Sequence, residues 1–145
     1  MRKNFVTTLD TNQIYFKIRE ILVDVLAVDE DEVTPESSLT RDLGAESIDH
    51  SDIVFKMEQR FQFKIPTEED PFQQIGPHPG LDYRTGTYDE TGMNFVRNKM
   101  GHFYNNLSAK DKNVFDRTRN QRHLIDSCNV KGLVVYIESK LTAKA

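Results

Sequence analysis

Tryptophan is absent from this chain and cysteine occurs once, at Cys128. A single thiol excludes an internal disulfide and any zinc site built from several cysteines. No run approaches the ~18–20 apolar residues that would span a bilayer. The opening residues 1–8 include Arg2 and Lys3 but no apolar core behind them, so no secretory leader is expected and a cytoplasmic location is. No Gly-x-Ser-x-Gly elbow occurs, because Gly44-Ala45-Glu46-Ser47 has no glycine two places after the serine. The four histidines, His50, His78, His102 and His123, lack metal-ligand spacing and are expected on the surface, with no metal bound. There is no internal repeat.

What remains is a chain of 145 residues, 37% apolar and 29% charged, enough for one domain with a real core. The net charge of −4 hides an asymmetry. Residues 1–70 carry 16 acids and 8 bases, a balance of −8; residues 71–122 carry 5 acids and 8 bases, a balance of +3. The first part should attract basic partners and the middle should not. Arg117, Arg119 and Arg122 read as a solvated helix face, since no interleaved aromatics or nucleic-acid motif accompany them, and no nucleic-acid partner is expected. Cys128, just before an apolar stripe, reads as a small buried side chain.

Ile14, Ile18, Ile21, Leu22 and Val25 recur at helical spacing, with Asp10, Thr11 or Asn12 as the cap. The acidic stretch from Val28 to Glu46 reads as an ordered loop anchored by Val28, Val33, Leu39 and Leu43. A second helix starts near Ser47, presents Ile53, Val54, Met57 and Phe61 on one face, and stops before Ile65-Pro66. A last helix carries Val130, Leu133, Val134, Ile137 and Leu141. Residues 71–122 differ in kind. Their first part is rich in proline and glycine and reads as an irregular loop. Met93, Val96, Met100, Phe103 and Leu107 then form a helical stripe, and Ser108 with Asp111 marks another helix start. Half of the 14 aromatics lie in this segment, so it is expected to pack rather than float.

Asp42-Leu43-Gly44-Ala45-Glu46-Ser47-Ile48-Asp49 places a serine hydroxyl at the start of an amphipathic helix. Taken alone, Ser47 reads either as an N-cap or as a hydroxyl exposed for covalent modification. The wider layout resembles the acyl carrier protein family. The acidic stretch from Val28 to Leu39 is similar to the family's first loop, and residues 42–49 to its Asp-Leu-Gly-Ala-Asp-Ser-Leu-Asp motif. Met57-Glu58-Gln59-Arg60-Phe61, Ile65-Pro66 and residues 129–137 resemble its remaining landmarks, in order.

The resemblance implies an all-α fold, a short four-helix bundle, spanning residues 1–145 with residues 71–122 inserted as a partly helical subdomain. It implies a 4′-phosphopantetheine arm on Ser47, carrying acyl groups as thioesters, and no catalysis by the chain itself. It implies that Asp42, Glu46, Asp49, Asp52 and Glu58 meet a phosphopantetheinyl transferase and fatty-acid or polyketide enzymes with basic docking patches. Phe55, Met57, Ile65, Leu133 and Ile137, with Ile18 nearby, correspond to the family's acyl pocket, although any bundle would bury such positions. Departures are Glu46 and Ile48 in the motif, His50 and Ser51 after it, and Lys56, Gln59 and Arg60 on a face usually acidic. With the insertion at residues 71–122, they point to a carrier dedicated to a specialised lipid or polyketide pathway; a monomer is expected. The alternatives are an aminoacyl or peptidyl carrier, or an unmodified structural adaptor.

Overall fold

In a computed structural model of the protein, residues 9–72 and 79–144 are described. The fold is mostly helical, as expected. Helix α1 (Thr11–Leu26) starts at a reciprocal cap: Asp10 Oδ1 accepts from the Gln13 N–H at 2.8 Å, and the Asp10 N–H donates to Gln13 Oε1 at 2.9 Å. Its buried stripe is Ile14, Ile18, Ile21 and Leu22. Helix α2 (Ser47–Phe61) buries Ile53, Met57 and Phe61, and ends at Gln62 in the left-handed conformation. Glu58 then accepts from the Ile65 N–H at 2.7 Å, which holds the turn ahead of Pro66.

The acidic loop is ordered by bonds across the molecule. Val33, Leu39 and Leu43 are buried, and Tyr15 donates to the Val33 carbonyl at 2.7 Å. The Leu39 N–H donates to the Cys128 carbonyl at 2.8 Å, and the N–H groups of Val130 and Lys131 donate back to Ser37 and Pro35 at 3.0 and 2.9 Å. Backbone polar groups buried in a loop need such partners, and helix α7 (Val130–Lys144) supplies them at its start.

Residues 79–127 contain more regular structure than the sequence suggests. A two-stranded antiparallel hairpin, β1 (Leu81–Asp82) and β2 (Thr87–Tyr88), sits where an irregular loop is expected. It is held by the connection further along the chain: the Tyr88 N–H donates to Arg119 O at 2.9 Å, and the Gln121 N–H to Gly86 O at 2.8 Å. The apolar stripe of this region is split into α3 (Glu90–Lys99) and α4 (Gly101–Tyr104), breaking at Met100, where φ is −120° and ψ is 27°. Gly101, a weak helix former, follows the break. Helix α5 (Ala109–Thr118) begins where Ser108 accepts from the Asp111 N–H at 3.1 Å, as read from the sequence. Helix α6 (Gln121–Ser127) precedes α7 and was not anticipated. Its inward face carries Leu124 as its one large buried apolar residue, too little for a periodic signal.

Met93, Val96, Met100, Phe103 and Leu107 are all buried, in one continuous cluster with the stripes of α1, α2 and α7. Helices α4 and α7 approach so closely at Gly132 that a Cβ there would lie 2.2 Å from Phe103 Cδ1. Glycine is therefore required by packing, although it is a poor helix former. No helix among the described residues is long and apolar enough to cross a membrane.

Candidate functional site

The motif loop delivers Ser47 by a chain of short backbone bonds. The N–H of Gly44 donates to Thr40 O at 3.1 Å and that of Ala45 to Leu39 O at 2.8 Å. Gly44 has φ of +75°, a conformation L side chains rarely adopt, so the turn needs glycine. Leu43 and Ala45 are buried on either side and fix the loop to the core.

Glu46, not Ser47, occupies the N-cap position of α2, with Asp49 Oδ2 accepting from its N–H at 2.8 Å. The Asp49 carboxylate supplies the reciprocal half of the cap, and Ser47, one place inside the helix, takes no part in it. Ser47 lies in the first helical turn, exposed, with its hydroxyl in no hydrogen bond among the described residues. A pocket of about 510 Å3 opens beside it. Thr40, Gly44, Glu46 and His50 line one side; Arg122 and Ile125 of α6 line the other.

His50 is half-buried, stacked on Phe72 with ring centroids 3.9 Å apart and planes 2° apart, and burial lowers its pKa. His102 is also packed inward, 5.1 Å from the Tyr136 ring, with Nε2–H donating to the Pro71 carbonyl at 2.6 Å. Burial pushes its pKa down to about 4. The expected surface placement is therefore corrected for both rings: each closes a gap between α2 or α4 and the segment around Pro71-Phe72. His123 is half-buried too, while His78 lies outside the described residues. Among the described residues no group of three or more His, Cys, Asp or Glu is arranged to hold a metal ion. Cys128 is buried, its thiol donating to Leu124 O at 3.2 Å, and burial pushes its pKa up.

The acids of the motif region divide by task. Glu46 and Asp52 are exposed. Asp42 is exposed but accepts from the Ser38 N–H at 2.7 Å, Asp49 caps α2, and Glu58 holds the Ile65 turn. Lys56 and Arg60, read as interruptions of the acidic face, pair instead with Asp24 (2.7 Å) and Glu20 of α1. Flanking Asp49 and Asp52 on α2 stand two exposed apolar residues the sequence reading left unremarked as a pair: Ile48, 75% exposed, and seven residues on, Phe55, 55% exposed. Both fall outside the Ile53/Met57/Phe61 stripe, and that offset is the signal that could have found them. Met57, Ile65, Leu133, Ile137 and Ile18 are buried together in the core, whereas Phe55 faces an open groove beside Gln59 and Phe63.

The motif loop is also tied to the middle segment. Arg41 donates to both Asp111 oxygens at 3.2 and 3.3 Å and to Ser127 Oγ at 3.3 Å. Burial works against the charge of Asp111, but hydrogen bonds from Arg41 and Ser108 outweigh it and hold the carboxyl below its ordinary value. His123 Nε2 lies 3.1 Å from the same carboxylate, out of line for a hydrogen bond. The three arginines do not share a helix face: Arg117 belongs to α5, Arg119 is its left-handed cap and pairs with Glu90 at 3.0 Å, and Arg122 belongs to α6.

Residues 17–69, which include Ser47, match a family model described as a phosphopantetheine attachment site. An acyl carrier protein of Rubrobacter xylanophilus is 46% identical over 61 residues, covering 42% of this chain and 75% of that protein. An acyl carrier protein of Clostridium perfringens is 38% identical over 64 residues, covering 43% of this chain and 84% of its own length. No solved structure matches. With the attachment region matched, most of each relative's length covered and a helical fold around the motif, the chain belongs to the acyl carrier protein family.

Proposed function

We propose that the protein carries acyl intermediates as thioesters on a 4′-phosphopantetheine arm joined to Ser47, within a specialised fatty-acid, lipid or polyketide pathway. One observation carries this reading: the Ser47 hydroxyl is exposed and uncommitted at the head of α2, where Glu46 holds the N-cap position and Asp49 its N–H. Attachment forms an Oγ–phosphorus bond and breaks the pyrophosphate bond of coenzyme A. Adenosine 3′,5′-bisphosphate leaves, and the hydroxyl proton passes to the transferase. The residues present suit a phosphate ester there, since the hydroxyl is free and the adjoining pocket offers room and polar walls. When bound, the arm supplies a terminal thiol for the cargo.

The chain's own residues do the positioning. The Gly44 turn and the capped α2 hold Oγ outward, and the effective concentration of a tethered thioester rises when a partner docks. The partner face comprises exposed Glu46 and Asp52 with Ile48 and Phe55 between and beyond them, suited to enzymes with basic patches and an apolar centre. Chemistry on the cargo belongs to those enzymes, and this chain acts as a monomeric carrier. The continuous core supports treating residues 1–145 as one carrier domain with 71–122 inserted. A buried, unpaired thiol fits a reducing compartment such as the cytoplasm.

Incubation with coenzyme A and a promiscuous phosphopantetheinyl transferase should add one arm to the wild type and none to Ser47→Ala, read by intact mass. Modification at another residue, or none with several transferases, overturns the reading. The mass of material from the native host then names the cargo, with an aminoacyl or peptidyl mass favouring the other carrier class.

A further inference from the structure

The pocket beside Ser47 has a wall that the matched attachment region, residues 17–69, does not contain. Helix α6 provides it, through Arg122 and Ile125. Arg122 is the one arginine or lysine among the residues lining that pocket, which Glu46 also lines. The other titratable base in the lining, His50, is packed flat on Phe72.

Arg122 is lightly committed. Its side chain is 70% exposed, and its ion pair with Asp126, one turn along the same helix at 3.1 Å, is the kind that contributes little. A guanidinium has five N–H donors in a fixed fork, so one contact to Asp126 leaves most of them for a second anion. Residues 1–70 carry a balance of −8, and a phosphodiester on Ser47 adds another negative charge beside Glu46. The available counter-charge in the pocket comes from α6.

We infer that Arg122 binds the phosphodiester of the arm on Ser47, so that α6 clamps the proximal arm against the motif loop. This rests on Ser47 being the attachment residue. Arginine suits the task because its fork matches two phosphate oxygens at once. Residues beyond the attachment region thereby act on the cofactor directly, through charge.

The test uses the full chain, 15N-labelled, before and after enzymatic loading, with intact mass confirming one arm. In the wild type, loading should shift the Arg122 Nε–H resonance and slow its exchange with water. The 31P resonance of the phosphodiester should move on Arg122→Gln and should not move on Arg117→Gln, which removes an exposed charge from α5. Arg122→Gln leaves no buried group unpaired, so the fold is retained and apo spectra confirm it. A chain loaded at Ser47 whose Arg122 signal is unchanged, and whose 31P shift is the same in Arg122→Gln, overturns the clamp and leaves the carrier reading standing. Failure to load at Ser47 overturns the carrier reading and the clamp with it.

Discussion

At Ser47 the identity of the capping group matters more than the residue type suggests. A serine at a helix start is ordinarily worth about 1 kcal/mol as a cap. Here Asp49 accepts from the Glu46 N–H, and the serine hydroxyl has no bond to lose. Ser47→Ala should change stability by less than about 0.5 kcal/mol, whereas Asp49→Ala should cost about 1 kcal/mol, both read from urea midpoints. Equal costs would mean that the serine caps after all. Motif chemistry was legible in the sequence; which of two neighbouring polar residues would cap was not, because both satisfy the local pattern. His102 gives a pH signature. Its folded pKa is pushed down to about 4 by burial, against 6.5 for the free side chain. Between these values the unfolded chain binds a proton that the folded chain excludes, so stability falls as pH drops through the window. His50 shifts in the same direction. The fall should amount to roughly 1–3 kcal/mol between pH 7 and pH 4, and His102→Gln, which keeps an N–H for Pro71, should flatten it. An unchanged slope in that variant would place the proton elsewhere.

Among the elements, α1, α2 and α7 were readable because each repeats large apolar residues at helical spacing over roughly two to three turns. The hairpin and α6 were not: strands of two residues have no periodicity, and α6 has a single large inward apolar side chain. The break at Met100 was equally hidden, since the stripe from Met93 to Leu107 keeps its spacing across it. Helix α2 yields a test of docking. Lys56 and Arg60 are turned to α1, so Glu46 and Asp52 face solvent without the basic neighbours that the sequence places beside them. Association with a basic partner enzyme should weaken as salt rises past the physiological range, where screening acts over ~8 Å. Charge reversal at Glu46 or Asp52 should lower the association rate more than it raises dissociation, measured by stopped flow. Substituting Phe55 by alanine should do the opposite. An association rate indifferent to salt would leave the apolar pair Ile48 and Phe55 as the main attraction.

On the scale of the whole molecule, the middle segment is part of the core. Phe103 fills the space above Gly132, so Gly132→Ala should overpack the α4–α7 contact and cost ~1–3 kcal/mol, although alanine is the better helix former. If the variant were more stable, the two helices would have room that the 2.2 Å approach denies. Amides of Val96 and Phe103 should exchange as slowly as those of Leu133 and Ile137, since all four are fully buried in one cluster. Fast exchange confined to α3 and α4 would show that they detach as a unit.

The bonds that tie the acidic loop to Cys128, Val130 and Lys131 have a consequence for synthesis on the ribosome. Helices α1 and α2 and the loop between them emerge first, yet the carbonyl and N–H groups that order the loop, and the α7 face that α1 packs against, emerge only after residue 128. Residues 71–122 lie between. At ~5–20 residues per second, a spacer of roughly 50 residues holds the nascent motif without its partners for some 3–10 s longer than direct continuation into α6 would. During that interval the apolar faces of α1 and α2 are open to chaperones, and Ser47 follows a motif loop that lacks its later partners. A transferase that requires the finished turn would then act only after residues 128–137 have left the exit tunnel.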